Sequence, residues 1–500
     1  MPTPPKRKPD SARRANRIIQ QRTLLLLALL GIGTFLLLFA QLYKLQIKQH
    51  DELKTLAVRQ QTLRTTVEAS RGTIYDKNGD ILALSSTAEN VCVSPLDVAK
   101  NEQDQDLIAN GLGEILGVDP SGILDDMKDT ASQYKVIKKK VEQETADKVR
   151  VFISDNGIKG VFLEPTSKRY YPYSSLAAHV IGFVNANGGA YGLEAVYDEE
   201  LTGEKGMVVS ARDANGNALL YQYEQYFDAE NGDSLVTTLD KTVQYYLEKG
   251  LEELESRYGT GVGATGIVMD VKTGEVLAMA NLPDFDPNDA YKLTSDKYID
   301  ELKKNVAKIL KEENVKVEIP DAWYTEGGLD NLPEAIHDNS DLVDALGSAR
   351  VNILMKTWRN PVIADNYEPG STFKVITASA GLEEGVVSTS YDLGATHAED
   401  TYYCGGSLQV ENWEIKCANT SGHGMQTLTE ALMNSCNVAM MQIAQSVGMD
   451  RFYNFYKAFG LTEPTGIDLP GEGKGQFHKL DVASDWNEVA LATASFGQRF

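Results

Sequence analysis

Residues 367–382 read YEPGSTFKVITASAGL, and this stretch is the strongest indication of fold and chemistry in the chain. The Glu-Pro-Gly triplet ends one element, and the residues that follow it have a helical period. Ser371 is therefore predicted at a helix N-terminus, where free backbone N–H groups and the helix dipole favour a developing anion. Lys374 comes three residues later, on the same face of the predicted helix.

Ser371 and Lys374 together have the chemistry of a nucleophile and its base. A serine hydroxyl is a poor nucleophile until a base removes its proton. A lysine amine can be that base when burial or a neighbouring cation lowers its pKa. The apolar run after Lys374 would bury the stem of the lysine. We therefore expect a serine acyl-transfer site at Ser371.

The spacing Ser-x-x-Lys is weak evidence by itself, because the chain contains it twice. Ser132 and Lys135 form a second copy, and Ser154-Asp155-Asn156 follows it downstream. That copy lies among charged residues, without a turn before it or an apolar helix after it. We expect no active site there.

A second element, Ser435-Cys436-Asn437, follows the Ser371 segment along the chain. In a serine acyl-transfer site, Ser435 would pass a proton to the leaving amine. Asn437 would hydrogen-bond Lys374 and the substrate's amide. Capping of a helix by Ser435 or Asn437 is the alternative. The Ser371 element upstream favours the functional interpretation.

The N-terminal part of the chain predicts a membrane anchor. Residues 1–22 are rich in Lys and Arg, and residues 23–42 are 20 residues without a charge. About 20 apolar residues span the hydrocarbon core of a bilayer. The uncharged run is too long for a signal peptide and lacks an A-x-A cleavage pattern. We expect a basic cytoplasmic tail (1–22), a single transmembrane anchor (23–45) and the bulk of the chain outside the cytoplasm.

Composition narrows the class of protein. The 500 residues carry a net charge of −23, which argues against nucleic acid as a partner. Apolar residues make up 42% of the chain, which excludes a wholly disordered protein. The six histidines show no metal-ligand spacing, so we expect neither a metal site nor a cofactor.

The four cysteines leave two interpretations open. In an oxidising exterior, Cys404 and Cys417 would close a hairpin-like loop with a disulfide, and free thiols are the alternative. We expect Cys436 to be a small buried apolar residue and not a ligand.

The remaining patterns predict an α+β chain of two extracytoplasmic domains. A pedestal region (46–245) starts with a helical stalk over residues 50–67 and continues with a hairpin at Asn78-Gly79. A second domain (246–500) follows the helix predicted at 243–258 and opens with a hairpin over 263–280. Residues 289–350 are acidic and predict a surface insertion.

Several segments, in the order expected, resemble those of class B penicillin-binding proteins, which are monofunctional peptidoglycan D,D-transpeptidases. The matching segments are Arg71–Gly79 (RGTIYDKNG), Arg169–Pro172 (RYYP), Gly192–Glu194 (GLE), Tyr197-Asp198, Leu201–Gly203 (LTG), Glu368–Lys374 (EPGSTFK), Ser435–Asn437 (SCN), Thr465–Glu472 (TGIDLPGE) and Ser495–Gln498 (SFGQ).

The resemblance implies a dimerisation-type pedestal and a penicillin-recognising transpeptidase fold, in which helices flank an antiparallel sheet. It implies that Ser371, activated by Lys374, attacks the penultimate D-Ala carbonyl of a stem peptide. A neighbouring amine then completes the cross-link, and β-lactams acylate Ser371. A polytopic membrane glycan polymerase is the implied partner. Elongation, division and sporulation all remain open as the process served.

The Cys404–Cys417 loop resembles that of division-type and sporulation-type members from Gram-positive bacteria. If these two cysteines are bridged, their redox state would gate the site.

One departure from the family pattern concerns the third motif, Lys-Thr-Gly on an edge strand, which should follow Asn437. The chain contains this triplet at 272–274 alone, before Ser371. We expect that the 500 residues belong to a longer product and that this form is weakly active or inactive. Two alternative functions stay open: the chain is a membrane-anchored scaffold, or it senses or hydrolyses β-lactams.

Overall fold

The computed structural model describes residues 10–50, 62–211, 224–259, 261, 263–389, 401–475 and 486–499. The chain divides into two compact units. The first comprises Met1–Ser70 and Gly203–Asn231, and the second comprises Arg71–Thr202 and Gly232–Phe500. The fold is mixed α+β, as the sequence predicts.

The N-terminal helix of the first unit spans Asp10–Tyr43 and continues as a π-helical turn, Lys44–Lys48. Within the described residues, this is the one helix long and apolar enough to cross a membrane, over Ile19–Lys48. The predicted anchor, 23–45, lies inside this segment.

The first unit also contains a three-stranded antiparallel sheet of Thr62–Val67, Gly206–Ala211 and Glu224–Phe227. The predicted helical stalk over 50–67 is therefore wrong for its last six residues, and residues 51–61 lie outside the described part. Threonine and valine dominate Thr62–Val67, and β-branched side chains favour a pleated strand.

The pedestal part of the second unit is built on a five-stranded sheet. Ile81–Val93 is its central strand and pairs antiparallel with three neighbours, Ile74–Tyr75, Lys135–Glu142 and Val161–Tyr170. Leu235–Val236 adds a parallel edge beside Ile74–Tyr75. The hairpin predicted at Asn78-Gly79 is present, and Asp76 accepts backbone N–H groups inside its turn.

Helices cover this sheet and form a small hydrophobic core with it. The pedestal helices are Pro95–Lys100, Gln105–Leu116, Pro120–Met127, Gln143–Asp155, Ala178–Ile181, Gly192–Val196 and Asp198–Thr202. A two-stranded ribbon, Val184–Asn185 with Gly188–Gly189, lies among them.

A buried ion cluster centred on Glu194 joins the segments of the pedestal. The Glu194 side chain is fully buried and pairs with Arg71 at 2.7 Å and with Arg169 at 2.6 Å. Arg71 also pairs with Asp198 at 2.7 Å, so two cations face two carboxylates. Tyr171 donates its hydroxyl to Glu194 at 3.2 Å. Charged side chains from remote parts of the sequence thus pair with one another around the buried Glu194.

The second half of this unit opens with the helix Lys241–Tyr258, which packs on the hairpin Ala264–Met269 and Val276–Leu282. The buried Gln244 side chain fixes this contact, because it donates to the Met279 carbonyl at 2.9 Å and accepts the Met279 N–H at 2.8 Å. Both elements agree with the sequence prediction.

Residues 289–350 are not a surface insertion, which corrects the prediction. Helices Asp296–Glu312, Asp321–Glu326 and Ser340–Trp358 cover this region. Leu302 and Leu346 are fully buried and belong to the same hydrophobic core as pedestal residues such as Phe183. The acidic side chains occupy the outer faces of these helices, and apolar residues at helical spacing form the inner faces. The high average charge of the segment therefore did not predict its buried side.

The remaining elements of this unit are short helices, 3₁₀ turns and strand pairs. The helices are Pro361–Ala364, Lys374–Glu383, Leu428–Met433, Asn437–Val447, Met449–Ala458 and Glu488–Ala494, with short 3₁₀ turns at Pro287–Asp289, Leu329–Asn331, Glu334–Ile336 and Gly370–Phe373. Two short strand pairs complete the fold, Thr401–Cys404 with Gly424–Thr427 and Ser407–Val410 with Trp413–Lys416.

We predict that Glu194→Gln destabilises the protein by about 3 kcal/mol, because it leaves two buried arginines with an incomplete counter-charge. The midpoint of urea unfolding measures this loss. Glu144→Gln is the matched control, since Glu144 pairs with Lys148 at 2.8 Å on an exposed helix face and should leave the midpoint almost unchanged. Equal midpoints for both variants would contradict a stabilising role for the Glu194 cluster.

Candidate active site

Ser371 lies in the 3₁₀ turn Gly370–Phe373, which leads directly into the helix Lys374–Glu383. Ser371 is exposed, whereas Phe373 at the end of the turn and Lys374 at the start of the helix are buried. The tight turn presents the hydroxyl outward and directs the lysine inward. The apolar face of the following helix packs against Asn437–Val447, so this turn is held on a rigid support.

The Lys374 amine lies between two serine hydroxyls. Its Nζ is 3.1 Å from Ser371 Oγ and 2.8 Å from Ser435 Oγ, and it donates to the Ser435 carbonyl at 2.6 Å. The two hydroxyl oxygens are themselves 2.9 Å apart. These three groups form a closed triangle through which a proton can pass in either direction.

Burial sets the proton affinity of this lysine. Lys374 is 2% exposed, and the loss of solvation lowers the pKa of its amine below the ordinary lysine value. The thiols of Cys417 and Cys436 act in the opposite direction with a smaller effect. Among the residues that the structure describes, no carboxylate forms a hydrogen bond or an ion pair with Nζ, so the free amine is accessible as a base.

Ser435 has an unusual backbone conformation, with φ of +48°. A residue with a β-carbon seldom adopts this left-handed region, and such strain is often found at functional sites. Here the conformation lets both the carbonyl and the hydroxyl of Ser435 reach the same amine.

Asn437 differs from the expected arrangement. Among the hydrogen bonds of the described residues, none joins Asn437 to Lys374. The Asn437 amide instead donates to the Lys416 carbonyl at 3.4 Å, and the backbone of Ser435 supplies the acceptor for the lysine. Asn437 begins its helix two residues after Ser435.

A segment near residue 497 holds the serine turn in place, and motif reasoning did not give it this role. The Gly370 N–H donates to the Gly497 carbonyl at 2.9 Å, and Thr377 Oγ1 donates to the Ser495 carbonyl at 2.6 Å. A β-carbon at Gly497 would lie 2.0 Å from the Gly370 carbonyl oxygen, and its φ is +82°. Only glycine fits there.

The second Ser-x-x-Lys copy has no such geometry. Ser132 donates to the Tyr134 carbonyl at 3.1 Å, and Lys135 pairs with Asp129 at 3.5 Å. The Lys272-Thr273-Gly274 triplet lies in the exposed turn of the hairpin described above.

All four cysteines are free thiols in this structure, so the disulfide weighed for Cys404 and Cys417 is not formed in it. The pairing itself stays a prediction. Cys404, Cys417 and Cys436 are all buried close together, next to the Ser435 turn.

Two family models match the chain. The penicillin-binding protein dimerisation domain matches residues 66–237, and the penicillin binding protein transpeptidase domain matches residues 264–499. Among curated relatives, stage V sporulation protein D of Bacillus subtilis is 29% identical over 97% of this chain. Peptidoglycan D,D-transpeptidase FtsI of Escherichia coli is 25% identical over 90% of it. The chain spans 63% and 62% of the length of these two relatives.

Solved structures share the fold. Penicillin binding protein 2X from Streptococcus thermophilus aligns with a TM-score of 0.57 at 23% identity, covering 87% of this chain and 57% of that one. The complex between penicillin-binding protein 2 and MreC from Helicobacter pylori aligns with a TM-score of 0.58 at 19% identity, covering 87% and 73%.

The two matched domains follow one another in a single chain and together cover most of it. Relatives that align with 90% or more of this chain include proteins named penicillin-binding proteins and peptidoglycan D,D-transpeptidases. The chain belongs to the class B penicillin-binding proteins.

Proposed function

We propose that this chain is a serine D,D-transpeptidase that cross-links peptidoglycan stem peptides through an acyl-enzyme on Ser371. The triangle of Ser371, Lys374 and Ser435 carries the proposal, because it joins an exposed hydroxyl to a buried amine with a lowered pKa. The family and the relatives' activities support the same reaction.

The proposed reaction starts when the neutral Lys374 amine takes the proton of Ser371. The hydroxyl oxygen then attacks the penultimate D-Ala carbonyl, and a tetrahedral intermediate forms. Ser435 relays the proton from the lysine to the departing nitrogen, since its hydroxyl contacts the Lys374 amine and lies beside the Ser371 oxygen, where the leaving group departs. D-Ala leaves, and an amine of a second stem peptide attacks the ester and releases Ser371. A β-lactam would stop at the acyl-enzyme.

In the proposed site, Ser371, Lys374 and Ser435 carry out the proton transfers, and Asn437 binds the substrate amide and not the lysine. The domain limits at residues 22, 45 and 245 are likewise proposed. We also propose that the basic tail lies in the cytoplasm. The apolar helix and the basic residues before it support this topology.

Partners follow from the same proposal. Stem peptides ending in D-Ala-D-Ala and β-lactams are the proposed ligands of Ser371. A polytopic glycan polymerase in the membrane is the proposed protein partner. One structural neighbour is a complex of a penicillin-binding protein with MreC. This neighbour supports the proposal that the fold binds other proteins.

We predict that a fluorescent penicillin labels the protein covalently and that Ser371→Ala abolishes the label. Ser132→Ala is the matched control, because Ser132 occupies the same Ser-x-x-Lys spacing without a lysine in contact, and it should leave labelling intact. Gel fluorescence and mass mapping of the adduct are the measurements. An unlabelled protein of native fold would favour a membrane-anchored scaffold, and rapid release of hydrolysed drug would favour a β-lactamase.

We predict that the rate of β-lactam acylation rises with pH and levels off above the pKa of Lys374. Because burial lowers that pKa, the midpoint should lie below the ordinary lysine value of about 10.4. Protonation at lower pH removes the base, so the rate should fall there. Stopped-flow acylation at several pH values measures the profile.

Lys374→Arg tests the same assignment, since it keeps a cation but supplies no base. It should lower the acylation rate at least about 100-fold at every pH. A flat pH profile in the parent protein, or an arginine variant that acylates normally, would show that Lys374 is not the base.

The sequence from Asn437 to Phe500 contains no Lys-Thr-Gly triplet that could form the family's third motif, and we propose that these 500 residues acylate weakly. The edge strand of that motif would align the substrate and supply an oxyanion-hole N–H. We expect slower labelling of the 500-residue chain than of an engineered form that carries an added Lys-Thr-Gly strand after residue 500. Equal acylation rates for the two proteins would contradict the proposal that the 500-residue chain acylates weakly.

A further inference from the structure

Three cysteines and a histidine lie together directly behind the Ser435 turn. Their side-chain ligand atoms, from Cys404, Cys417, His423 and Cys436, all lie within 4.8 Å of one another. We propose that these four residues form a tetrahedral binding site for a zinc ion. The proposal goes beyond the transpeptidase reaction and does not depend on it.

The distances suit this metal. Cys417 Sγ lies 3.9 Å from Cys436 Sγ and 3.7 Å from His423 Nδ1. Tetrahedral zinc has bonds of about 2.3 Å to sulfur and about 2.0 Å to nitrogen, which places neighbouring ligand atoms about 3.5–3.8 Å apart. Only small side-chain adjustments are needed to enclose an ion.

The choice of zinc follows from the ligands and their burial. Three thiolates and one imidazole form a soft donor set, which selects zinc over calcium or magnesium. Cys404, Cys417 and Cys436 are at most 3% exposed, and His423 is half-buried. With four protein ligands and little room for water, the site is structural and not hydrolytic.

The backbone brings the four ligands together from separate elements. Cys404 ends the strand Thr401–Cys404, and the His423 N–H donates to the Cys404 carbonyl at 3.0 Å. Cys417 directly follows the strand Trp413–Lys416, and its N–H donates to the Gly406 carbonyl at 2.9 Å. Cys436 is the N-cap of the helix Asn437–Val447. The ligand positions are therefore set by the fold before any metal binds.

Gly422 lets the loop close around the site. Its φ is +81°, and a β-carbon there would lie 2.4 Å from the Cys404 carbonyl oxygen. A side chain at this position would push His423 away from Cys404.

Neighbouring N–H groups suit thiolate ligands. The backbone N–H groups of Asn419, Asn437 and Val438 all point at the sulfur of Cys417 and are within hydrogen-bonding reach of it. Such outer hydrogen bonds are typical of metal-bound sulfur.

Cys436 is supported in the same way. The Ala439 N–H donates to the sulfur of Cys436 at 3.4 Å. The Nε2 atom of Gln426 is buried without a hydrogen-bond partner within the described residues, so a Cys436 thiolate would satisfy it.

Zinc binding at this site requires the loss of three thiol protons. Zn²⁺ displaces the thiol protons of Cys404, Cys417 and Cys436, which pass to solvent, and the neutral His423 ring nitrogen supplies the fourth electron pair. A Cys404–Cys417 disulfide would remove two of the ligands. The disulfide and the zinc site therefore exclude one another.

The site has a structural consequence for the Ser435 turn. Cys436 lies between Ser435 and Asn437, so a metal bond to its sulfur would hold the turn in which Ser435 has φ of +48°. Zinc would thus position Ser435 against Lys374 without touching the substrate.

Metal analysis of the full 500-residue chain, purified in detergent without chelator, tests the proposal. Mass spectrometry of the metal should find about one zinc per chain. Cys404→Ser and Cys417→Ser should each lose most of it. Cys92→Ala is the matched control, because Cys92 is a buried cysteine of the pedestal outside the cluster, and it should retain the metal.

Cobalt replacement gives a second readout that does not require a variant to fold. The parent protein loaded with Co²⁺ should show the absorption of tetrahedral cobalt bound to thiolates. Absence of zinc and of this spectrum, or peptide mapping that finds Cys404 bridged to Cys417 in active protein, would overturn the site. Zinc bound in a protein that penicillin does not label would overturn the transpeptidase proposal alone.

Discussion

The described site depends on one buried amine. Lys374 has little contact with water, and it is held between the hydroxyls of Ser371 and Ser435. An amine in this position is costly to keep charged, which favours the free base. The cost is tolerated because the carbonyl of Ser435 accepts a hydrogen bond from it. The serine turn, the left-handed Ser435 and the Gly497 contact all serve to keep these three groups within hydrogen-bonding distance.

The same unit contains a second buried polar centre that is structural. In the pedestal, Glu194 forms ion pairs with Arg71 and Arg169, and Asp198 forms a further ion pair with Arg71. Buried ion pairs contribute little net stability, but the loss of one partner is costly, so the cluster specifies how its segments join. The hydrophobic core continues from these pedestal elements into residues 289–350, which makes the part around Arg71–Thr202 and the part after Gly232 one compact unit.

Local patterns predicted the elements whose cause lies within a few residues. The turn before Ser371, the hairpin at Asn78-Gly79 and the helix over Lys241–Tyr258 belong to this class. The errors have a different origin. Residues 289–350 were misjudged from their charge, although Leu302 and Leu346 follow a helical period. Thr62–Val67 is a strand because a partner at Gly206–Ala211 pairs with it, and that partner is remote in sequence.

The sequence by itself determined the apolar N-terminal segment, the α+β class and the pairing of Ser371 with Lys374, because helical spacing places residues three apart on one face. Only the tertiary structure decided that the Ser435 carbonyl, and not Asn437, contacts the lysine. It alone brought His423 to the cysteines, whose spacing along the chain matches no metal motif. The reason is physical: each of these contacts joins separate elements, and their distance depends on how whole helices and strands pack.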